Sequence, residues 1–134
     1  MTTSTPGQAP LRCYCDSGSD YTDCCAPFIR GDEVPATAEQ LMRSRYSAFV
    51  RCDQHYLLAT WHPTTRPSRV RFNEQQHWLG LKVRATEAGG VAQRTGVVEF
   101  VARFKIGGRG HRLHERSRFE KLDGRWFYLD GQHL

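Results

Sequence analysis

The chain holds no run of about 18 apolar residues, which removes an ordinary membrane-spanning helix from consideration. Its opening, Met1 to Pro10, offers neither a basic cluster nor an apolar stretch, so no secretory signal is read there. These absences predict a cytoplasmic protein with no membrane association. Lysine is scarce, and the net charge of +5 rests mainly on arginine. No internal repeat is present, and no Ser/His or His/Asp spacing names a reaction. A length of 134 residues suits one globular domain and leaves no room for a second.

Cysteine is what the chain does concentrate. Four of its five cysteines fall between positions 13 and 25, as Cys13-x-Cys15 and, eight residues on, Cys24-Cys25. In a reducing compartment such density argues for metal rather than disulfides, and adjacent cysteines make a poor disulfide. Zinc takes four ligands in a tetrahedron, and two short clips supply two thiolates each. Asp16-Ser17-Gly18 provides the turn between them, with Gly18 free to adopt positive φ, and Tyr21 is placed to cover the metal. The sequence therefore predicts a self-contained structural Zn2+ site on Cys13, Cys15, Cys24 and Cys25. A closed set of four sulfur ligands leaves no open position for water or substrate. Cys52 is expected to fill a core gap as a small hydrophobe.

Along the chain, residues 1–11 read as a disordered leader, 12–30 as the knuckle and 31–134 as the main domain. Thr37-x-x-Gln40 is a capping box opening a helix to about Arg51. Leu41, Met42, Tyr46 and Phe49 form its apolar stripe, with Arg43, Ser44, Ser47 and Arg51 opposite. Asp53 caps a second helix that carries Tyr56, Leu57, Leu58 and Trp61 and stops before Pro63. Residues 72–78 suit either a strand or a helical turn, and 79–86 alternate as a strand. Thr95 to Ile106 is the clearest strand, with Val98, Phe100, Ala102, Phe104 and Ile106 on one face. Glycines at 107, 108 and 110 turn the chain into a strand over 111–122, and Asp123-Gly124 leads to a last strand over 125–130. Helices followed by a bent antiparallel meander predict an α+β fold, a curved sheet wrapped around helices.

Two candidate surfaces emerge. Arg103, Lys105, Arg109, His111, Arg112, His114, Arg116 and Arg118 make a basic strand face, opposed only by Glu115. Such a face is usually solvated, but nucleic acid or a ribosome is a possible partner for it. Glu115 is in phase with Leu113 and Phe119, so its carboxylate is expected to enter the interior. There it pairs with Arg45 or holds its proton, and the ion pair is the expected outcome.

The string CYCDSGSDYTDCC over residues 13–25 resembles the SEC-C motif, the zinc knuckle in the tail of the SecA preprotein translocase. The segments 36–49, 56–63, 78–81, 115–119 and 126–131 resemble the uncharacterised YchJ-like family. That resemblance implies a cone similar to nuclear transport factor 2 and ketosteroid isomerase, in the cystatin-like style, and no established activity. Two functions follow from it. The knuckle implies an interaction or adaptor protein that docks a protein or ribonucleoprotein partner. The cone implies, as the alternative, a small-molecule enzyme of isomerase, dehydratase or hydrolase type, with Arg45, Tyr46, Trp61, His62, Glu115 and Asp130 as pocket candidates.

Overall fold

The computed structural model describes residues 11–134, so the leader expected over 1–11 lies outside the described residues except for Leu11. A single turn at Tyr21–Asp23 precedes three helices, α1 (Ala26–Arg30), α2 (Ala38–Val50) and α3 (Gln54–Ala59). Four strands follow, β1 (Gln76–Ala88), β2 (Thr95–Ile106), β3 (Arg109–Leu122) and β4 (Arg125–His133). The strands form one antiparallel sheet in the order β1-β2-β3-β4. This is the α+β arrangement that the sequence predicts.

The capping box forms in part. Thr37 accepts from the Gln40 amide at 3.1 Å, while the Gln40 side chain reaches back one residue further than expected, to the Ala36 amide at 2.8 Å. The N-terminus of α2 is seated on the β1–β2 hairpin, where the Ala38 amide donates to the Gly89 carbonyl at 3.0 Å. Gly89 (φ 78°) and Gly96 approach so closely that a Cβ on Gly96 would stand 2.5 Å from the Gly89 Cα.

Helix α2 runs across the inner face of the sheet, touching β1, β2 and β4. Leu41, Met42 and Tyr46 meet Leu81, Val98, Phe100, Ala102, Phe119 and Trp126 in one core. The helix was expected to turn Ser44 and Ser47 to solvent, yet both are fully buried. Its far side is covered, because the Ser44 hydroxyl meets Tyr56 of α3 at 2.7 Å and Ser47 lies 3.6 Å from the Cys13 sulfur. The helix is sandwiched, and amphipathic patterning cannot register a second polar but buried face.

Two local expectations are corrected. Helix α3 ends at Ala59 and excludes Trp61, because the chain beyond is taken up by β4. His62 N donates to the Tyr128 carbonyl at 2.7 Å, and Tyr128 N donates to the Thr60 carbonyl at 2.9 Å. Cys52 fills no core gap, since it is exposed at φ 55° in the turn between α2 and α3.

Three β-bulges shape the sheet, between Trp78 and Gly80, between Val83 and Ala85, and between Arg118 and Phe119. A bulge adds twist and moves the following side chains to the other face. The first aligns Trp78 and Leu81, three residues apart, opposite Phe104 and Ala102, and throws Leu79 out to solvent. The third brings Tyr128 opposite Phe119 and Asp130 opposite Arg118.

Candidate metal centre and cone cavity

The knuckle is a miniature hairpin. Cys13 N donates to the Ser19 carbonyl at 2.9 Å, Tyr21 N donates to the Leu11 carbonyl at 2.9 Å, and Asp16 and Gly18 take positive φ in the turn between. This delivers Cys13 and Cys15 opposite Cys24 and Cys25, which immediately precede α1. The four sulfurs lie within 4.8 Å of one another. Two of the separations, Cys15 to Cys24 at 3.6 Å and Cys24 to Cys25 at 4.0 Å, bracket the roughly 3.8 Å between sulfurs in a tetrahedron with metal–sulfur bonds of about 2.3 Å. The donor set thus fits a tetrahedral thiophilic ion.

Crowded thiols strain against one another. Hydrogen bonds from Cys15 and Cys25 hold the Cys13 thiol well below its ordinary range. The bond to Cys13 correspondingly drives Cys25 up, and burial pushes Cys24 up to about 11. A divalent cation would relieve the conflict by holding all four as thiolates around one centre and offsetting half of their charge. Tyr21 packs at the rim, edge-on to Tyr14 at 5.2 Å and beneath the Arg51 guanidinium.

The knuckle is not self-contained, contrary to expectation. Cys13, Cys15 and Cys25 belong to the same buried core as α2 and the sheet. Arg43 donates to the Cys15 carbonyl at 2.8 Å, and Asp16 accepts from the Leu81 amide at 2.9 Å, just past the first bulge of the edge strand. A Cβ on Gly80 would stand 2.7 Å from the same Asp16 oxygen. The metal loop therefore caps the irregularity that turns both Trp78 and Leu81 inward.

Between α2 and the sheet lies a cavity of about 200 Å³. Met42, Arg45, Tyr46 and Phe49 line it from α2, and Trp61 from the segment after α3. The sheet contributes Trp78, Phe100, Ala102, Leu113, Phe119 and Tyr128, with Glu115 and Ser117 as its polar groups. Of the sequence candidates, Arg45, Tyr46, Trp61 and Glu115 meet here, while His62 and Asp130 do not. The third bulge turns Asp130 outward, where Arg118 donates to it at 2.7 Å through Nε and holds its carboxyl below the usual range. His62 is buried at the far edge of β4, beside Phe127. Its Nδ1 accepts from the Thr64 amide at 3.1 Å, and its Nε2 faces Glu120 at 3.5 Å without a hydrogen bond.

The expected Arg45–Glu115 ion pair is absent. Arg45, 5% exposed, spends Nη1 on the Leu57 carbonyl at 2.8 Å and the Thr60 hydroxyl at 2.7 Å. Its guanidinium sits 4.9 Å from the Trp61 ring centre and 4.7 Å from that of Tyr128. Burial lowers its pKa to about 10, so it remains charged at neutral pH. Glu115 instead accepts from Ser117 at 2.5 Å and faces His133 at 3.7 Å across β3 and β4. Gly131 makes room for it, since a Cβ there would collide with the Glu115 carboxylate. The two charges are kept apart because each has closer neutral or strand-local partners. Burial pushes the Tyr46 phenol up, and burial followed by the nearby Glu115 charge pushes Tyr128 up to about 12.

Sequence reasoning missed Trp78, Ser117 and Tyr128 as cavity residues. Strand phase signals Ser117 and, counted from the Asp123-Gly124 turn, Tyr128, whereas Trp78 depends on bulges that carry no residue signature.

Of the outer basic cluster, Arg116 is paired with Glu87 and Glu99, Arg118 with Asp130, and His114 with Glu99. Arg103 and Arg112 stand directly opposite each other on β2 and β3 with no acidic partner among the described residues. His111 turns the other way and stacks on Phe104 at 5.2 Å.

Residues 37–131 match the family described as "YchJ, middle NTF2-like domain". The chain belongs to the YchJ-like family. It is 51% identical to the UPF0225 protein RSc0270 of Ralstonia nicotianae, with 98% of each chain covered. It is 48% identical to the UPF0225 protein SCO1677 of Streptomyces coelicolor over 91% of this chain and 95% of the other. Among solved structures, RPA3114 of Rhodopseudomonas palustris, a SEC-C motif containing protein, aligns with TM-score 0.80 and 36% identity, over 92% of this chain and 99% of that one. A SEC-C motif containing protein of Psychrobacter arcticus aligns with TM-score 0.70 and 29% identity, over 94% and 77%. This YchJ-like chain thus has the cone of its family and a cysteine cluster suited to metal. Among the described residues no helix is long and apolar enough to cross a membrane.

Proposed function

We propose that this YchJ-like protein is a small-ligand-binding cone stapled by a structural Zn2+ on Cys13, Cys15, Cys24 and Cys25. The observation that carries the reading is the cavity, an apolar chamber into which α2 and β3 each bring one buried charge, Arg45 and Glu115, that make no direct ion pair with each other. Ligand sites have this composition, mostly apolar walls with a few placed polar groups. Zinc is favoured over other ions by a set of four thiolates, and its part is to hold the loop that caps β1. Glu115 is the group positioned for acid–base work on a bound molecule. A screen of small aromatic compounds followed by amide and indole NMR shifts tests the chamber. Shifts confined to Trp61, Trp78 and Tyr128 are expected, and no perturbation of these residues by any compound overturns the reading. Elemental analysis of purified protein tests the metal, with one zinc per chain expected.

One observation favours docking as a second reading. The Asp16 side of the knuckle and the basic strand face share one surface groove, lined by Asp16, Lys82, Arg84 and Arg103 among others. A protein or ribonucleoprotein partner with an acidic or phosphate surface suits it. Co-sedimentation with ribosomes tests this, and binding that Arg103→Glu and Arg112→Glu leave unchanged would count against it.

A further inference from the structure

The Arg45 guanidinium is buried without a carboxylate partner among the described residues. Its Nη1 is occupied, and rings cover it at Trp61 and Tyr128. Nε and Nη2, the edge that a carboxylate engages side-on with two parallel hydrogen bonds, have no acceptor among the described residues. A buried cation in this state is costly, and an anion that enters the cavity relieves that cost.

Resting on the ligand-chamber reading, we propose that the cavity takes a small monocarboxylate with an apolar, aromatic or branched body, its carboxylate held by Arg45 between Trp61 and Tyr128. Three features fix this class. The volume of about 200 Å³ exceeds the roughly 150 Å³ that accepts benzene, so the ligand has about eight to ten non-hydrogen atoms. The walls opposite Arg45 are aromatic and aliphatic, and they offer no second cation. Glu115 shares the chamber and already offsets the charge of Arg45, so a doubly charged phosphate or dicarboxylate would leave two negative charges unbalanced, whereas a monocarboxylate leaves one.

The test compares three probes of one shape on the wild-type protein, namely phenylacetate, phenylacetamide and phenethylamine, each titrated at neutral pH and followed by NMR shifts at Trp61 and Tyr128. Phenylacetate is expected to bind at least tenfold more tightly than either other probe. In Arg45→Met, phenylacetate is expected to fall to the level of the amide while the amide itself is unchanged. Should that variant fail to fold, Arg45→Lys keeps the charge without the two-pronged fork and is expected to retain part of the preference. Equal binding of phenylacetate and phenylacetamide would overturn the carboxylate assignment and leave the chamber standing. Tightest binding of phenethylamine would overturn it in favour of recognition by Glu115. Absence of shifts with all three would remove the ligand chamber and the carboxylate assignment together.

Discussion

The metal centre and the cavity both bury polar groups, but in opposite ways. In the knuckle, four identical donors converge on one point, so a single ion could satisfy all of them and would leave the site closed. In the cone, two unlike charges are held apart by local partners, Nη1 of Arg45 on the backbone of α3 and Glu115 on Ser117, so each keeps unused capacity facing the same space. Convergence gives stability, and separation leaves room for a ligand. The two regions are joined through Asp16, which ties the metal loop to the bulge that aims Trp78 and Leu81 inward.

The largest effect should come from breaking the convergent site. Cys15→Ser is expected to abolish stoichiometric zinc and to destabilise the protein by several kcal/mol, since metal affinity in such sites is folding energy of about 10 kcal/mol or more. Because Cys13, Cys15 and Cys25 share the core with α2, hydrogen exchange should show α2 losing protection together with residues 12–30. Full retention of protection in α2 would mean that the two regions are independent after all.

Gly131→Ala probes the cavity end of the comparison. The added methyl collides with Glu115, so a loss of about 1–3 kcal/mol in urea denaturation is expected from overpacking. Asp16→Ala should cost about 1–2 kcal/mol by leaving the Leu81 amide unpaired, and faster exchange at that amide would mark the broken joint.

Glu115→Gln sharpens the contrast further. Were Glu115 the counter-ion of Arg45, the change would cost several kcal/mol, but with Ser117 as its main partner a shift of about 1 kcal/mol or less is expected in thermal melts. The smallest effect is at Asp130, turned out of the cavity. Its carboxyl is depressed by hydrogen bonds from Arg118, so its stabilisation is present above the ordinary carboxylate range and is lost as pH falls through the folded-state pKa. Asp130→Asn should make the acid limb of the stability–pH curve shallower.

Much of this was legible in the residues. The cysteine spacing named the metal ligands, because short clips leave the backbone few ways to arrange four sulfurs. Period-two alternation placed Glu115 and Ser117 inside, because strand phase is local. Legibility failed where a bulge intervened. Asp130 has the parity of Tyr128 and Trp126, yet the third bulge moves it to the other face. The sequence favours a helix through Trp61 up to Pro63, but backbone pairing with Tyr128, distant in the chain, prevails.

The sequence by itself determined the starts of α2 and α3, the meander, the four-cysteine cluster and the inward acid, since each depends on contacts among neighbours along the chain, whereas it gave no sign of the short helix α1. Only the tertiary structure decided that the knuckle is part of the core, that Ser44 and Ser47 are buried, and that Arg45 and Glu115 stay unpaired across a cavity. Those outcomes depend on which distant backbone groups reach each side chain first. Arg45 is claimed by Leu57 and Thr60, and Glu115 by Ser117, before either charge can find the other.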